Sequence, residues 1–195
     1  MILATLDLLR QSGLSGAGIN QVVAASAAPR GSVYHYFPGG KLELTTAALK
    51  EAERGVGQRF RDIFHKSTPI ATKVASLFAA AGNSLEGNQF TRGCPVAAVT
   101  LDIERDSEDL RAVCRGIFDS WQEIIAAGLN GVPRAERRGV ARLILATFEG
   151  ALILSRAEAT KEPLLRAGKS LAGVLALRFP TASSPQRAKG GRRRG

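Results

Sequence analysis

The sequence is poor in cysteine, in histidine and in long apolar runs, and each shortage excludes a class of protein. Its two cysteines, Cys94 and Cys114, cannot build a disulfide framework and lack metal-site spacing, which favours a reducing, cytoplasmic setting. No apolar stretch approaches the roughly 18 uncharged residues of a membrane span, since Glu149 interrupts the most apolar window, residues 143–154. The N-terminus runs straight into an amphipathic pattern, so no signal peptide and no membrane partner are expected.

Catalytic motifs are also lacking. His35 and His65 are the only histidines, and no zinc-protease, nucleophile-elbow or Cys–His arrangement occurs. The glycine-lysine pair at 40–41 has His35 in place of the upstream glycine of a phosphate-binding loop, and Leu42 in place of its Ser or Thr. The glycines in 16–18 are not followed by the third glycine of a dinucleotide site. The sequence therefore predicts no enzyme, no metal and no cofactor.

Positive charge is abundant by contrast. The chain of 195 residues has 27 Lys and Arg against 17 Asp and Glu, a net charge of +10. More than half of the excess lies in residues 178–195, which include no acidic residue. Such a balance indicates a polyanionic partner. The segment 180–195 is dominated by Ser, Pro, Gly and Arg and is predicted to be disordered. It either adds nonspecific affinity for phosphates or serves only as a solubilising end.

Apolar residues recur at helical spacing through most of the chain, and the alternation typical of strands is missing. The pattern predicts an all-α protein. Glycine and proline mark most of the helix ends: Gly13 is typical of a helix C-terminus, and Pro29 of a helix start. The predicted helices cover residues 2–13, 19–26, 29–36, 41–65, 70–86, 95–103, 107–129, 134–158 and 162–178.

The second and third of these helices have the size of a helix-turn-helix, whose second helix brings its N-terminal residues to base edges in the major groove. Arg30 is suited to a guanine edge or a phosphate, Gly31 permits close approach, and Ser32 is a small donor and acceptor. Lys41 begins the long helix, where its ammonium and the free N–H groups of the first turn are suited to a phosphate. The predicted DNA-binding residues are Asn20, Gln21, Pro29, Arg30, Gly31, Ser32, Tyr34, His35, Tyr36 and Lys41.

The run from Gly18 to Lys41 resembles the DNA-binding signature of the TetR family of bacterial repressors. Its most diagnostic piece is the tetrad Tyr34-His35-Tyr36-Phe37, followed closely by Lys41. Three further segments are similar to the YxaF/LmrA-like branch of that family: 28–32, 38–41 and 93–96.

The resemblance implies a three-helix DNA-binding domain over 1–45 and a larger helical domain over 46–179 that binds an effector and dimerises. It implies a homodimer formed by helices 134–158 and 162–178, and double-stranded operator DNA and a small-molecule effector as partners. Two recognition helices one DNA turn apart would read a near-palindromic operator. The small residues of the dimer helices permit either close approach between protomers or ordinary packing within one protomer: Gly150, Ala151, Ala157, Ala167, Gly168 and Ala172.

An effector cavity is also implied, and its apolar lining favours a hydrophobic effector. Cys94 is either a buried, inert thiol or a sensor whose pKa the neighbouring Arg92 lowers. Each candidate aromatic has packing in the core as its alternative. The candidate lining residues are Phe60, Phe64, Phe78, Cys94, Phe118, Trp121 and Phe148.

Three departures from the family pattern concern the N-terminal domain. Met1 falls inside the first helical pattern, where the family usually has a turn or more before it. Ala27 stands where the turn usually has Gly, at a cost of roughly 1 kcal/mol if its φ is positive. Ala17 or Gly18 replaces the usual Thr or Ser cap of the second helix, and Gly caps better than Ala. These departures keep open the alternative of a repressor-like protein with impaired DNA binding. The basic tail keeps open a second alternative, a helical protein that binds anionic membranes or acidic partners through that tail.

Overall fold

The computed structural model describes residues 1–103 and 107–180, and in them the chain forms nine α-helices and no β-strand. The predicted all-α fold is confirmed. The predicted tail over 180–195 lies, apart from Pro180, outside the described residues. The helices are α1 (Ile2–Gly16), α2 (Ile19–Ser26), α3 (Arg30–Tyr36), α4 (Gly40–Phe64), α5 (Ile70–Gly87), α6 (Pro95–Asp102), α7 (Glu108–Ala127), α8 (Arg137–Glu158) and α9 (Glu162–Arg178).

Two helix ends differ from the prediction by three residues, and the others by two or fewer. Gly13 takes a positive φ of 67°, as its place at a helix end predicts, but the chain resumes a helical turn and α1 continues to Gly16. Helix α8 begins at Arg137 instead of 134, because the backbone after Pro133 first forms a turn in which the Glu136 N–H donates to the Pro133 carbonyl oxygen. The Arg137 side chain then donates to the Val132 carbonyl oxygen at 2.9 Å.

The described residues form two apolar clusters. The smaller one joins α2, α3 and the first turns of α4 around Val22, Val33 and Leu44, which are at most 1% exposed. The larger one is formed by the helices from α4 to α9, and α1 contributes Leu6 and Leu9 to it. Helix α1 therefore packs against both clusters. No helix in residues 1–103 and 107–180 is long and apolar enough to cross a membrane.

Candidate nucleic-acid interface and effector cavity

The helix-turn-helix unit stands on the smaller apolar cluster. The buried centre of this cluster consists of Val22 of α2, Val33 of α3 and Leu44 of α4. Gly18, with an extended backbone, is the N-cap of α2, whereas Ala17 is buried. The cap is therefore the glycine, the better of the two residues that the sequence offered. Because the apolar side chains of α2 and α3 point inward, their polar side chains are left on the outer surface.

The turn between α2 and α3 contains a strained residue. Ala27 lies in the left-handed region, with φ 51° and ψ 22°. A Cβ is unfavourable in that conformation, which is why glycine is common at such positions. Pro29 precedes α3 with an extended backbone, φ −59° and ψ 139°, and so sets the direction in which α3 leaves the turn.

The predicted DNA-binding residues lie on the outer surface of this unit. All are exposed except Ser32, which is half-buried. Tyr34 and Tyr36 are 53% and 64% exposed. Aromatic side chains that only pack in the core are rarely so exposed. The ring of His35 meets that of Tyr36 edge to face, with centroids 4.8 Å apart. Nothing lies within 4 Å of a Cβ placed on Gly31, so the N-terminal half of α3 offers an unobstructed backbone.

The junction of α3 with α4 depends on a second special backbone position. Gly40 has a φ of 63°, and the Gly39 N–H donates to the Glu43 carboxylate at 2.9 Å, which caps the start of α4. Lys41 is exposed there and lines a cleft of about 560 Å³ that also includes acidic side chains such as Asp102. No carboxylate in the described part of the chain forms an ion pair with Lys41 or Arg30.

Gln21 is placed differently from its neighbour Asn20. Its side chain folds back toward the start of α2, so that a Cβ on Gly18 would come within 2.5 Å of the Gln21 Oε1. This is the position from which a Gln side chain covers a helix N-terminus. Asn20 is exposed on the first turn of the same helix.

A cavity of about 640 Å³ lies in the larger helical cluster, a volume typical of small-molecule sites. Four of the predicted lining residues do line it: Phe60, Cys94, Trp121 and Phe148. The rings of Phe60 and Trp121 meet edge to face at 5.8 Å, and those of Phe60 and Phe148 at 6.0 Å.

The other three candidate aromatics do not line the cavity. Phe64 and Phe78 are fully buried. Phe78 contacts the lining residue Phe148 edge to face, with ring centroids 5.5 Å apart. Phe118 contacts Trp121 edge to face, with centroids 5.8 Å apart, and is not among the residues that line the cavity. Helical spacing placed all three on apolar faces, but Phe64 and Phe78 pack in the core and Phe118 contacts Trp121 of its own helix.

The cavity also includes polar side chains that sequence reasoning missed. Arg10 comes from α1, Arg59 from α4 and Glu149 from α8, and Arg92 from the α5–α6 loop joins them. Glu149 carried a signal in the sequence, since it is a single carboxylate in the most apolar window of the chain. Arg10 and Arg59 carried none, because charged residues on amphipathic helices are usually solvated.

Cys94 and Glu149 face each other in the cavity. Burial raises the pKa of the Cys94 thiol well above its ordinary value, and the negative charge of Glu149 raises it further. This direction agrees with the alternative of a buried, inert thiol and is opposite to the lowering by Arg92 that a sensor needs. Cys94 is nevertheless only partly buried. Burial also raises the pKa of Glu149 to about 7, and a hydrogen bond with the thiol offsets part of that increase. The Glu149 Oε2 is buried without a hydrogen-bond partner.

Hydrogen bonds and an ion pair join the cavity wall to α1. The Gly93 N–H donates to the Arg10 carbonyl oxygen at 3.0 Å, and Arg92 pairs with Asp7 at 3.1 Å. At the other end of α6, the Asp102 carboxylate accepts from the backbone N–H groups of Leu14 at 2.8 Å and Ser15 at 3.3 Å. Helix α1, which supports the helix-turn-helix unit, is thus bonded to both ends of the α6 region.

Comparisons with known proteins agree with this architecture. Residues 70–170 match the family described as "Transcriptional regulator LmrA/YxaF-like, C-terminal domain". The HTH-type transcriptional regulator YxaF of Bacillus subtilis (strain 168), itself described as uncharacterized, is 31% identical over 160 residues, which cover 81% of this chain and 84% of YxaF.

Two solved structures share the fold. The regulatory protein TetR from Rhodobacter sphaeroides superposes with a TM-score of 0.79 and 22% identity, covering 88% of this chain and 95% of that one. A cysteine mutant of the TetR family regulator CifR, complexed with 26-bp double-strand operator DNA, superposes with a TM-score of 0.76 and 18% identity, covering 88% and 93%. The chain therefore belongs to the TetR family, in its LmrA/YxaF-like branch, and is a DNA-binding transcriptional regulator and not an enzyme.

Proposed function

We propose that this protein is a homodimeric repressor that binds a near-palindromic operator and releases it when a small, largely apolar effector enters the cavity. The observation that carries the proposal is the composition of the cavity wall. Arg10 belongs to α1, which packs under the helix-turn-helix unit, whereas Trp121 and Phe148 belong to the larger helical domain. A molecule in this cavity contacts both parts of the chain at once.

At the DNA, we assign base contacts to Arg30 and Ser32, near the start of α3. The open backbone at Gly31 and the extended Pro29 allow that end of α3 to approach the groove closely. Asn20 and Gln21 contact bases or the nearby DNA backbone, Gln21 from its position at the start of α2. Four exposed side chains hold phosphates: Tyr34, His35, Tyr36 and Lys41.

The homodimer is assigned to an apolar face of α8 and α9. Large apolar side chains on these helices are exposed in the single chain, from 48% for Leu143 to 87% for Leu177. Gly150 and Ala157 lie on the same exposed side of α8, where they allow close helix approach. The other small residues of the predicted interface pack within the protomer; a Cβ on Gly168 would come within 2.5 Å of Phe78, and Ala151 and Ala172 are buried.

Effector binding is coupled to DNA through two routes. Helix α4 runs from Gly40, beside the helix-turn-helix unit, past Phe60 at the cavity, so a displacement at one end changes the other. The α5–α6 loop holds α1 through Gly93 and Arg92. A shift in either route changes the spacing of the two recognition helices in the dimer, a coupling worth typically about 1–3 kcal/mol.

Fluorescence anisotropy tests the proposal. Labelled DNA from the region upstream of the protein's own gene is compared with scrambled DNA of the same length across a salt series. Binding that prefers the upstream DNA at physiological salt supports a sequence-specific regulator, whereas equal binding that salt abolishes points to the basic tail alone. Removal of residues 181–195 separates the two directly, because the repressor keeps its sequence preference without them.

The base-reading role has its own test. Arg30→Ala should weaken binding to the preferred DNA and relax its base preference, by about 1–3 kcal/mol for a bidentate base contact. Arg54→Ala on α4 is the matched control, an exposed arginine whose partner is Glu51 on the same helix. Unchanged affinity and preference in Arg30→Ala would remove Arg30 from the reading of bases.

A further inference from the structure

One side of the cavity has an excess of positive charge. Arg10, Arg59 and Arg92 all line it. Burial lowers the pKa of Arg10; Asp7 opposes this, and the charges of Arg59 and Arg92 lower the pKa further. Asp7 pairs with Arg92 at 3.1 Å and lies 3.9 Å from Arg10. Among the described residues no carboxylate pairs with Arg59, so Asp7 is the one carboxylate within ion-pair distance of these three guanidinium groups.

The rest of the cavity lining is apolar around one further carboxyl group. Phe60, Trp121 and Phe148 give it aromatic walls and are at most 8% exposed. The Glu149 Oε2 lies there, buried and without a hydrogen-bond partner. A buried polar atom in this state costs free energy until a partner reaches it. The cavity lining therefore combines a cluster of arginines, apolar aromatic walls and the carboxyl group of Glu149 beside Cys94.

These features select a ligand with matching ends. Guanidinium groups bind planar oxyanions through paired, charge-assisted hydrogen bonds, and the effect is stronger in a partly buried site than in water. An anionic group between Arg10 and Arg59 also relieves the repulsion between them. Glu149 repels an anion when it is ionised, so the charged end of the ligand is directed to the arginines and an uncharged hydroxyl is directed to Glu149.

We propose that the effector is an amphipathic carboxylate, whose ring-sized apolar body packs against Phe60, Trp121 and Phe148 and whose carboxylate is held by Arg10 and Arg59. This inference rests on the proposed function, because it takes the cavity to be the effector site. It narrows a generally hydrophobic effector to an anionic one. It also gives the ligand a direct contact with α1, since Arg10 belongs to that helix.

The same chemistry suggests how binding reaches the DNA-binding unit. Arg92 is bound to Asp7 on α1 at 3.1 Å. A ligand carboxylate competes with Asp7 for this cluster of arginines. When it does so, the ion pair that joins the α5–α6 loop to α1 is weakened.

Isothermal titration calorimetry of the full-length protein tests the ligand class with matched pairs of compounds. The pairs are 6-hydroxy-2-naphthoate with 6-hydroxy-2-naphthamide, and decanoate with decanamide, so that each pair differs in the charged group alone. We expect at least one carboxylate to bind tenfold or more tightly than its amide. Arg59→Gln should reduce that preference at least fivefold and leave amide binding unchanged. Arg61→Gln, on the same helix but outside the cavity lining, is the matched control.

Three outcomes overturn the inference: amides that bind as tightly as their carboxylates, no binding by any of the four compounds, or an Arg59→Gln preference equal to that of the unsubstituted protein. Thermal melting of each variant shows that it is folded. Operator anisotropy separates this inference from the proposed function. Release of the operator by an amide alone overturns the anionic effector and keeps the repressor, whereas Arg59-dependent carboxylate binding without any change in DNA affinity overturns the effector-released repressor.

Discussion

Lys73 and Gly128 join the ends of two helices in the interior of the protein. The Lys73 ammonium donates to the Gly128 carbonyl oxygen at 2.7 Å and to the Phe64 carbonyl oxygen at 2.7 Å, at the C-termini of α7 and α4. The side chain is 2% exposed, and burial lowers its pKa. A cation at two helix C-termini faces the negative ends of both helix dipoles, which favours the charged form. Gly128 is required, since a Cβ there would lie 2.4 Å from the Phe64 carbonyl oxygen.

Lys73→Met should therefore destabilise the protein although it makes the interior more apolar. Two buried carbonyl groups lose their donor, at roughly 1–3 kcal/mol for each unsatisfied group. The measurement is the urea denaturation midpoint at pH 7. Lys66→Met, at an exposed position after α4, should leave the midpoint nearly unchanged. Equal midpoints for Lys73→Met and the unsubstituted protein would show that the two hydrogen bonds contribute no net stability.

Ala27→Gly should stabilise the protein. The left-handed conformation at φ 51° costs an alanine roughly 1 kcal/mol or more, and the greater freedom of glycine in the unfolded chain returns part of that gain. A net increase of about 0.5 kcal/mol in the free energy of unfolding is expected. Ala24→Gly, inside α2, is the control and should have the opposite sign, about 1 kcal/mol of destabilisation. The same sign for both substitutions would contradict the strained turn.

Glu149→Gln should change how stability depends on pH. Burial raises the pKa of Glu149 from an ordinary 4.5 to about 7, so the folded state binds this proton more tightly than the unfolded state does. The contribution of Glu149 to stability is therefore full below pH 4.5 and declines as pH rises toward about 7. Glutamine has no such loss. The stability of the variant relative to the unsubstituted protein should therefore increase between pH 5 and pH 8, by up to about 3 kcal/mol in the free energy of unfolding. Melting temperatures of both proteins at the two pH values provide the measurement.

The other ionisable groups of the cavity should not confuse this measurement. The pKa of Cys94 is raised well above its ordinary value, so its thiol stays neutral over the range. Arginine side chains in general stay protonated over this range. A difference between variant and unsubstituted protein that is the same at both pH values would mean that Glu149 titrates normally.

Asp7→Asn should tighten carboxylate binding and leave amide binding unchanged. The substitution removes the acid that pairs with Arg92 at 3.1 Å, so the cluster of arginines loses its protein counter-charge. A severalfold decrease in the Kd of the naphthoate is expected, which corresponds to the modest energy of a half-exposed ion pair. Calorimetry at low and high salt provides the measurement. Asp62→Asn, on an exposed part of α4, is the control, and a similar effect there would indicate only a change in overall charge.

Leu177→Glu should convert the protein to monomers. Leu177 is 87% exposed on α9, beside Val174 at 59%, and a carboxylate there would be buried in the proposed interface without a partner. Analytical ultracentrifugation should show the mass of one chain, and operator affinity should fall steeply, because two half-sites need two linked recognition helices. Leu101→Glu, at a leucine on α6 that is 77% exposed, is the control and should remain dimeric.

The local sequence was sufficient to predict the helix-turn-helix unit. Proline and glycine act through the backbone of their own segment, so the start of α3 at Pro29 could be located from the residues alone. The cap of α2 could be narrowed to Ala17 or Gly18, and the structure selects Gly18. The sequence also marked Ala27 as a site of strain if its φ is positive, and the structure gives this residue a φ of 51°. The exposed row of Tyr34, His35 and Tyr36 follows from the apolar spacing of Val33 and its neighbours.

The effector cavity was decided by the tertiary structure. Helical periodicity shows that a face is apolar, but it does not show which other face covers it. Phe64 and Phe78 are therefore in the core and Phe60 in the cavity, although all three have the same signal in the sequence. Arg10 and Glu149 lie far apart in the chain, and only the packing of α1 and α8 around one space brings them to the same wall. Burial then sets the charge of Glu149, and burial is a property of the assembled fold.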